Sequence, residues 1–136
     1  MAKKLLARVK SPDTVDRDLL EVLDYAYGTQ RDIEINIDQP EFTSVCPRSG
    51  LPDYGRITLR YIPKDKIVEL KSVKYYLLQY RNVGIFYEHV VNRILEDLVG
   101  VLHPKFMEVI GTFTPRGGVT TTARVEYRDQ KARRNE

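Results

Sequence analysis

Apolar residues recur along this chain in two rhythms. Ile33, Ile35 and Ile37 alternate with Glu34, Asn36 and Asp38. That is the period of a half-buried strand, and Pro40 is expected to stop or demote it because proline has no amide to give to a ladder. Residues 55–63 alternate again, with Ile57, Leu59 and Tyr61 on one face and Arg56, Thr58 and Arg60 on the other. Residues 106–114 and 119–127 are rich in β-branched and aromatic side chains and predict two further strands. Pro115-Arg116-Gly117-Gly118 predicts the hairpin turn between them, since glycine adopts positive φ at little cost. The second rhythm is helical. Val90, Val91, Ile94, Leu95, Leu98, Val99 and Leu102 form the strongest stripe and predict a helix from about 85 to 102. Val73, Tyr76, Leu77 and Tyr80 predict another, with Ser72 able to cap it. Leu19, Leu20, Val22 and Leu23 predict a short helix or helical turn within 16–24. The order from residue 33 onward is strand, strand, helix, helix, strand, strand. It predicts an α+β domain, an antiparallel four-stranded sheet with two helices on one face.

Composition narrows the class. A chain of 136 residues, 42% hydrophobic and 30% charged, is one domain with a modest core. We divide it into an N-terminal extension (1–32), a catalytic domain (33–128) and a polar, basic tail (129–136) expected to be disordered. No apolar run approaches the roughly 18 residues of a membrane span, and Arg8 and Lys10 break the only signal-like start. These features predict a cytoplasmic protein with no membrane contact. The net charge of +3 could reflect nucleic-acid contact. However, much of the excess lies at the ends, in Lys3, Lys4, Arg8, Lys10, Lys131, Arg133 and Arg134, and no RNA-recognition strand motif or zinc-finger spacing is present. No direct nucleic-acid partner is expected.

Candidate chemistry centres on residues 42–53, Phe-Thr-Ser-Val-Cys-Pro-Arg-Ser-Gly-Leu-Pro-Asp, which hold the only cysteine, Cys46, and a carboxylate, Asp53. Two prolines and a glycine make this a stiff, irregular connection that can present a thiol in one place. A lone cysteine can equally be a small buried hydrophobe, and it becomes a nucleophile only where the fold supplies a base or cation. Both readings stand on these residues alone. One cysteine excludes an internal disulfide, and Cys46 with His89 and His103 is a poor donor set for zinc. Glu69 and Lys71 precede the capped helix and either end a strand or line a site at its positive end; Glu88 falls in the first turn of the second helix, where the dipole favours a carboxylate. Arg116 beside two glycines suits a phosphate as well as a turn.

Four motifs occur in one order between about residues 33 and 127. They are the Ser-Val-Cys-Pro loop with Asp53 behind it, the run Glu69-Leu70-Lys71-Ser72-Val73-Lys74-Tyr75-Tyr76, Phe86-Tyr87-Glu88 at a helix start, and Phe113-Thr114-Pro115-Arg116-Gly117-Gly118. Together they resemble the signature of the 7-cyano-7-deazaguanine reductases, the QueF family of nitrile reductases, in its short single-domain form. The resemblance implies NADPH-dependent reduction of the nitrile of 7-cyano-7-deazaguanine to the aminomethyl compound, on the route to queuosine in tRNA. It implies Cys46 as the nucleophile that forms a thioimide and Asp53 as the proton donor. It further implies substrate contacts from Val68, Glu69, Leu70, Tyr87 and Glu88, NADPH contacts from Leu70, Lys71, Arg116 and Gly117, and no metal. Relatives often carry His where this chain has Tyr87, and Ser where it has Leu70. The implied fold is the tunnelling fold, in which sheets of several subunits close into an oligomeric barrel, here a homo-oligomer of two stacked pentamers.

Overall fold

The computed structural model describes residues 6–130. Lys3, Lys4, Lys131, Arg133 and Arg134, with most of the tail expected to be disordered, lie outside the described residues. Strands β1 (Val22–Asp24), β2 (Ile35–Val45), β3 (Pro52–Ile62) and β4 (Lys66–Val68) come first. Helices α1 (Leu70–Leu78) and α2 (Tyr87–Leu102) follow, and then β5 (Phe106–Arg116) and β6 (Val119–Arg128). β2, β3, β5 and β6 form an antiparallel four-stranded sheet in the order β2-β3-β5-β6, while β1 and β4 pair as a separate short ribbon. The α+β class and the antiparallel sheet are therefore present as expected.

The alternation sorts the sheet into two faces. Ile57, Leu59 and Tyr61 of β3 and Met107, Val109 and Phe113 of β5 are buried in one core with Val90, Val91, Ile94, Leu98 and Leu102 of α2. Val73, Tyr76 and Leu77 of α1 join the same core. The opposite face carries charged residues, among them Arg56, Arg60 and Arg124. Gly117 and Gly118, at φ +57° and +83°, form the turn between β5 and β6 that their sequence predicts.

Several boundaries differ from expectation, each for a local reason. Pro40 does not end its strand. The register passes from Gln39 opposite Ile57 to Phe42 opposite Gly55, so Pro40 and Glu41 together face Arg56 in a bulge, where proline's missing amide costs no ladder bond. The bulge also inverts the alternation. Ile35 and Ile37 point to the core before it, and Phe42 and Ser44 after it. Of the short helix or helical turn expected within 16–24, the structure has the turn, a single 3-10 turn (Arg17–Leu19), and the rest is β1, because Asp16 accepts from the Asp18 amide and β4 pairs with the residues beyond. Helix α1 is capped by Glu69 rather than Ser72. Glu69 accepts from the Lys71 amide at 2.9 Å and the Ser72 amide at 2.7 Å, while the Ser72 hydroxyl donates to the Glu69 carbonyl at 2.6 Å. Helix α2 begins at Tyr87, not Ile85, because Val83 and Ile85 are drawn into bonds with Val45. Beyond β6, the Asp129 amide still donates to the Lys105 carbonyl at 3.0 Å.

Candidate active site

The connection between β2 and β3 is a closed loop of residues 46–51, shorter than the sequence suggested because Phe42 to Val45 and Pro52 and Asp53 belong to the strands. The Cys46 amide donates to the Leu51 carbonyl at 2.9 Å, and the Gly50 amide donates to the Cys46 carbonyl at 2.8 Å. Gly50 closes the loop at φ +75°, a conformation L side chains rarely adopt. Cys46 is thereby fixed at both its amide and its carbonyl. Its thiol is half-buried. The Ser49 hydroxyl hydrogen-bonds the sulfur and holds its pKa below the ordinary thiol value, helped by the amides of Ser49 and Arg48. Burial and the charge of Asp53 oppose that shift.

Asp53 is buried at the start of β3, directly across the strand pair from Ser44. Arg116, at the end of β5, places Nη2 2.6 Å from Asp53 Oδ1 and donates also to the Pro52 carbonyl. Tyr87, the first residue of α2, donates its hydroxyl to the same Oδ1 at 2.9 Å. Its ring stacks on Phe113 with centroids 3.9 Å apart and planes 12° from parallel. Burial, then the hydrogen bond to Asp53, raises the Tyr87 pKa, so the phenol stays a donor. The start of α2 is delivered here by residues 83–85: the Val45 amide donates to the Val83 carbonyl at 3.0 Å and the Ile85 amide to the Val45 carbonyl at 3.1 Å. A groove of about 540 Å³ opens beside the loop, lined by Pro47, Ile85, Phe86, His89 and Glu96 among others. Half-buried thiol, carboxylate, phenol and guanidinium converge at one end of the sheet, an arrangement suited to adding a thiol to an electrophile with a proton relay alongside.

Comparison with known proteins places the chain in a family. The family model described as QueF-like protein matches residues 52–132. The chain belongs to the QueF family. A QueF-family relative in Thermoanaerobacter pseudethanolicus, named NADPH-dependent 7-cyano-7-deazaguanine reductase, is 52% identical over 119 residues, covering 88% of this chain and 89% of the relative. One of the same name in Chloroherpeton thalassium is 54% identical over 114 residues, covering 84% and 97%. The crystal structure of the archaeosine synthase QueF-Like in the apo form superposes with a TM-score of 0.65 at 22% identity, over 68% of this chain and 91% of that one. That likeness is one of fold.

Within this QueF-family chain, the residues singled out from sequence fall into two groups. Cys46, Asp53, Tyr87 and Arg116 come together, with exposed Glu88 beside Tyr87 in the first turn of α2 and Gly117 next to Arg116 at the hairpin tip. Val68, Glu69, Leu70 and Lys71 lie elsewhere. Val68 is tied by its amide to the Tyr61 hydroxyl at 3.1 Å, and Tyr61 is separated from Asp53 along β3 by roughly 26 Å of extended strand at about 3.3 Å per residue. Leu70 and Lys71 are exposed there, and the Glu69 carboxylate is occupied as the cap of α1. His89 and His103 stand roughly 21 Å apart along α2 at about 1.5 Å per residue, too far to share a metal. Ser49, Ser44 and Phe113 stand in the motifs quoted above, but the sequence assigned them no role. Ser49 and Ser44 flank Cys46 closely enough to have been suspected, but only the bulge tells which side of β2 Ser44 faces.

Proposed function

We propose that this protein reduces the nitrile of 7-cyano-7-deazaguanine to the aminomethyl compound with NADPH, through a thioimide on Cys46. Two QueF-family relatives bearing that activity in their names, each at least 52% identical over most of both chains, support the reaction. The observation that carries the mechanism is a thiol of lowered pKa beside a buried carboxylate fixed by Tyr87 and Arg116. The Cys46 sulfur adds to the nitrile carbon, forming a C–S bond as one π bond of the nitrile breaks. Asp53 takes the thiol proton and passes it to the nitrogen, so that S–H has added across C≡N with no net change of charge. Glu88, exposed at the N-terminus of α2, accepts hydrogen bonds from the guanine-like edge.

Exposed Lys71 and partly exposed Arg116 fit an anionic dinucleotide, since both present cations to solvent, Arg116 beside the open backbone of Gly117. NADPH, when bound, supplies hydride. Leu70, Lys71, Arg116 and Gly117 would hold it, while Val68, Glu69 and Leu70 complete the substrate pocket. Because these residues divide between distant ends of one chain, the working site takes Cys46 from one copy and Glu69 and Lys71 from another. This reading supports the oligomeric barrel of the tunnelling fold, two pentamers stacked, in a cytoplasmic enzyme.

The test is to follow nicotinamide absorbance with 7-cyano-7-deazaguanine present. Four electrons per nitrile require two equivalents of NADPH for each aminomethyl product; no consumption, or another ratio, overturns the reaction. Co-expressing Cys46→Ala and Glu69→Gln chains should restore part of the activity that neither variant shows alone. No restoration places the whole site in one chain.

A further inference from the structure

Ser44 is fully buried, and among the described residues its Oγ is the buried side-chain oxygen or nitrogen that has no hydrogen-bond partner. An orphaned hydroxyl is costly, and a residue serving only as a small filler would do better as alanine. Its position gives the reason. The bulge at Pro40 and Glu41 turns Ser44 to the core face, directly opposite Asp53 in the β2–β3 register. Directly opposed residues hold their Cβ atoms roughly 4.5–5.5 Å apart, so the two side chains fill one gap. Tyr87 donates to Asp53 Oδ1, and the Arg116 guanidinium is ion-paired with the same oxygen. Neither contact is to the other carboxylate oxygen. A hydroxyl without an acceptor therefore lies beside a carboxylate whose contacts with Tyr87 and Arg116 are both on the other oxygen, and it stands two residues from the thiol.

We propose that Ser44 is a positioning residue for Asp53: as Asp53 passes its proton to the nitrile nitrogen, the Ser44 hydroxyl turns onto the second carboxylate oxygen and holds it. The motion needed is one step between staggered χ1 wells. The acceptor it meets is a carboxylate regaining its charge, to which a hydroxyl bonds more strongly than to a neutral group. Tyr87 and Arg116 fix one oxygen throughout, while Ser44 engages the oxygen that carries the proton. The inference rests on the thioimide reading above and deepens it.

The test is a cycle of four proteins, wild type, Ser44→Ala, Asp53→Asn and the double variant. For each, the rate of adduct formation on Cys46 by 7-cyano-7-deazaguanine is read by intact-protein mass without NADPH, together with Tm. Ser44→Ala should slow adduct formation about tenfold in the wild-type background and by less than about twofold in Asp53→Asn, with Tm equal to or above that of the wild type. A merely structural serine would lower Tm and rate together. That result, a wild-type rate, or equal slowing in both backgrounds overturns the proposal. If the wild type forms no adduct, the thioimide reading itself fails and Ser44's role falls with it.

Discussion

Two buried carboxylates on this sheet are held by arginine, and they are held differently. Glu108, on the outer face of β5, gives Oε1 to Arg60 at 3.1 Å and Oε2 to Arg124 at 2.6 Å. Asp53, on the inner face at the start of β3, receives both Arg116 and Tyr87 on Oδ1. Both oxygens of Glu108 are spent on structure, and its pKa is held below the ordinary value, first by the Arg60 hydrogen bond. The contacts of Asp53 with Tyr87 and Arg116 leave its other oxygen for the proton transfer proposed above. Asp97 of α2 also receives two donors, Tyr76 and Arg93, on a single oxygen. There, however, Arg93 reaches on to the carbonyls of Pro12 and Val15 and ties down the N-terminal segment, with no thiol at hand. An arginine–carboxylate pair is therefore not a site by itself; what distinguishes Asp53 is the thiol of Cys46 nearby.

The sharpest break of this comparison is the paired substitution. Asp53→Asn keeps an acceptor for Tyr87 and Arg116 but cannot shuttle a proton, and kcat should fall about 100-fold or more with little change in Tm. Glu108→Gln should leave kcat alone and lower stability by about 1 kcal/mol or less, because Arg124 is largely exposed and water screens the pair. Steady-state kinetics and thermal melts on both variants decide it; a loss of activity in Glu108→Gln would erase the contrast.

Tyr87→Phe sharpens it further. The ring still stacks on Phe113, and one hydrogen bond to the Asp53 carboxylate is lost. We expect kcat to fall about tenfold and KM to move less. A change confined to KM would make Tyr87 a substrate contact alone.

A smaller effect is expected at Ser49. Its hydroxyl lowers the Cys46 pKa, so Ser49→Ala should raise it and leave less thiolate at neutral pH. Alkylation of Cys46 by iodoacetamide should then slow several-fold at pH 7 and match the wild type in strongly alkaline buffer. Equal rates at both pH values would remove Ser49 from the site.

The least change is read from acid stability. Glu108 has a folded pKa below its unfolded value, so its contribution is complete above the unfolded value and is lost as pH falls through the folded one. Melts of wild type and Glu108→Gln should converge across that acid window; parallel curves would mean that the two arginines contribute nothing there.

Much of the fold was legible because the burial patterns of β3 and α2 are periodic. Ile57, Leu59 and Tyr61 declared the core face of β3, and Val90 to Leu102 that of α2. What periodicity could not reveal is a change of phase. Pro40 reads as a stop, yet as a bulge it continues β2 and turns Ser44 towards Asp53. Glu69 reads as a site residue, and in this chain it caps α1, because a carboxylate preceding a helix serves both purposes equally well. Cys46 and Asp53 were visible as a motif. Their partners Tyr87 and Arg116 were visible only as separate motifs, since convergence of α2 and β5 on the start of β3 is a tertiary fact.

No helix among the described residues is long and apolar enough to cross a membrane. The proposed chemistry rests on one sulfur, so the most direct measurement is intact-protein mass of wild type and Cys46→Ala after mixing with 7-cyano-7-deazaguanine alone. The wild type should gain one substrate mass that NADPH then removes, and Cys46→Ala, with an unchanged Tm, should gain nothing. An equal adduct on both proteins, or none on folded, reduced wild type, would contradict covalent catalysis by Cys46.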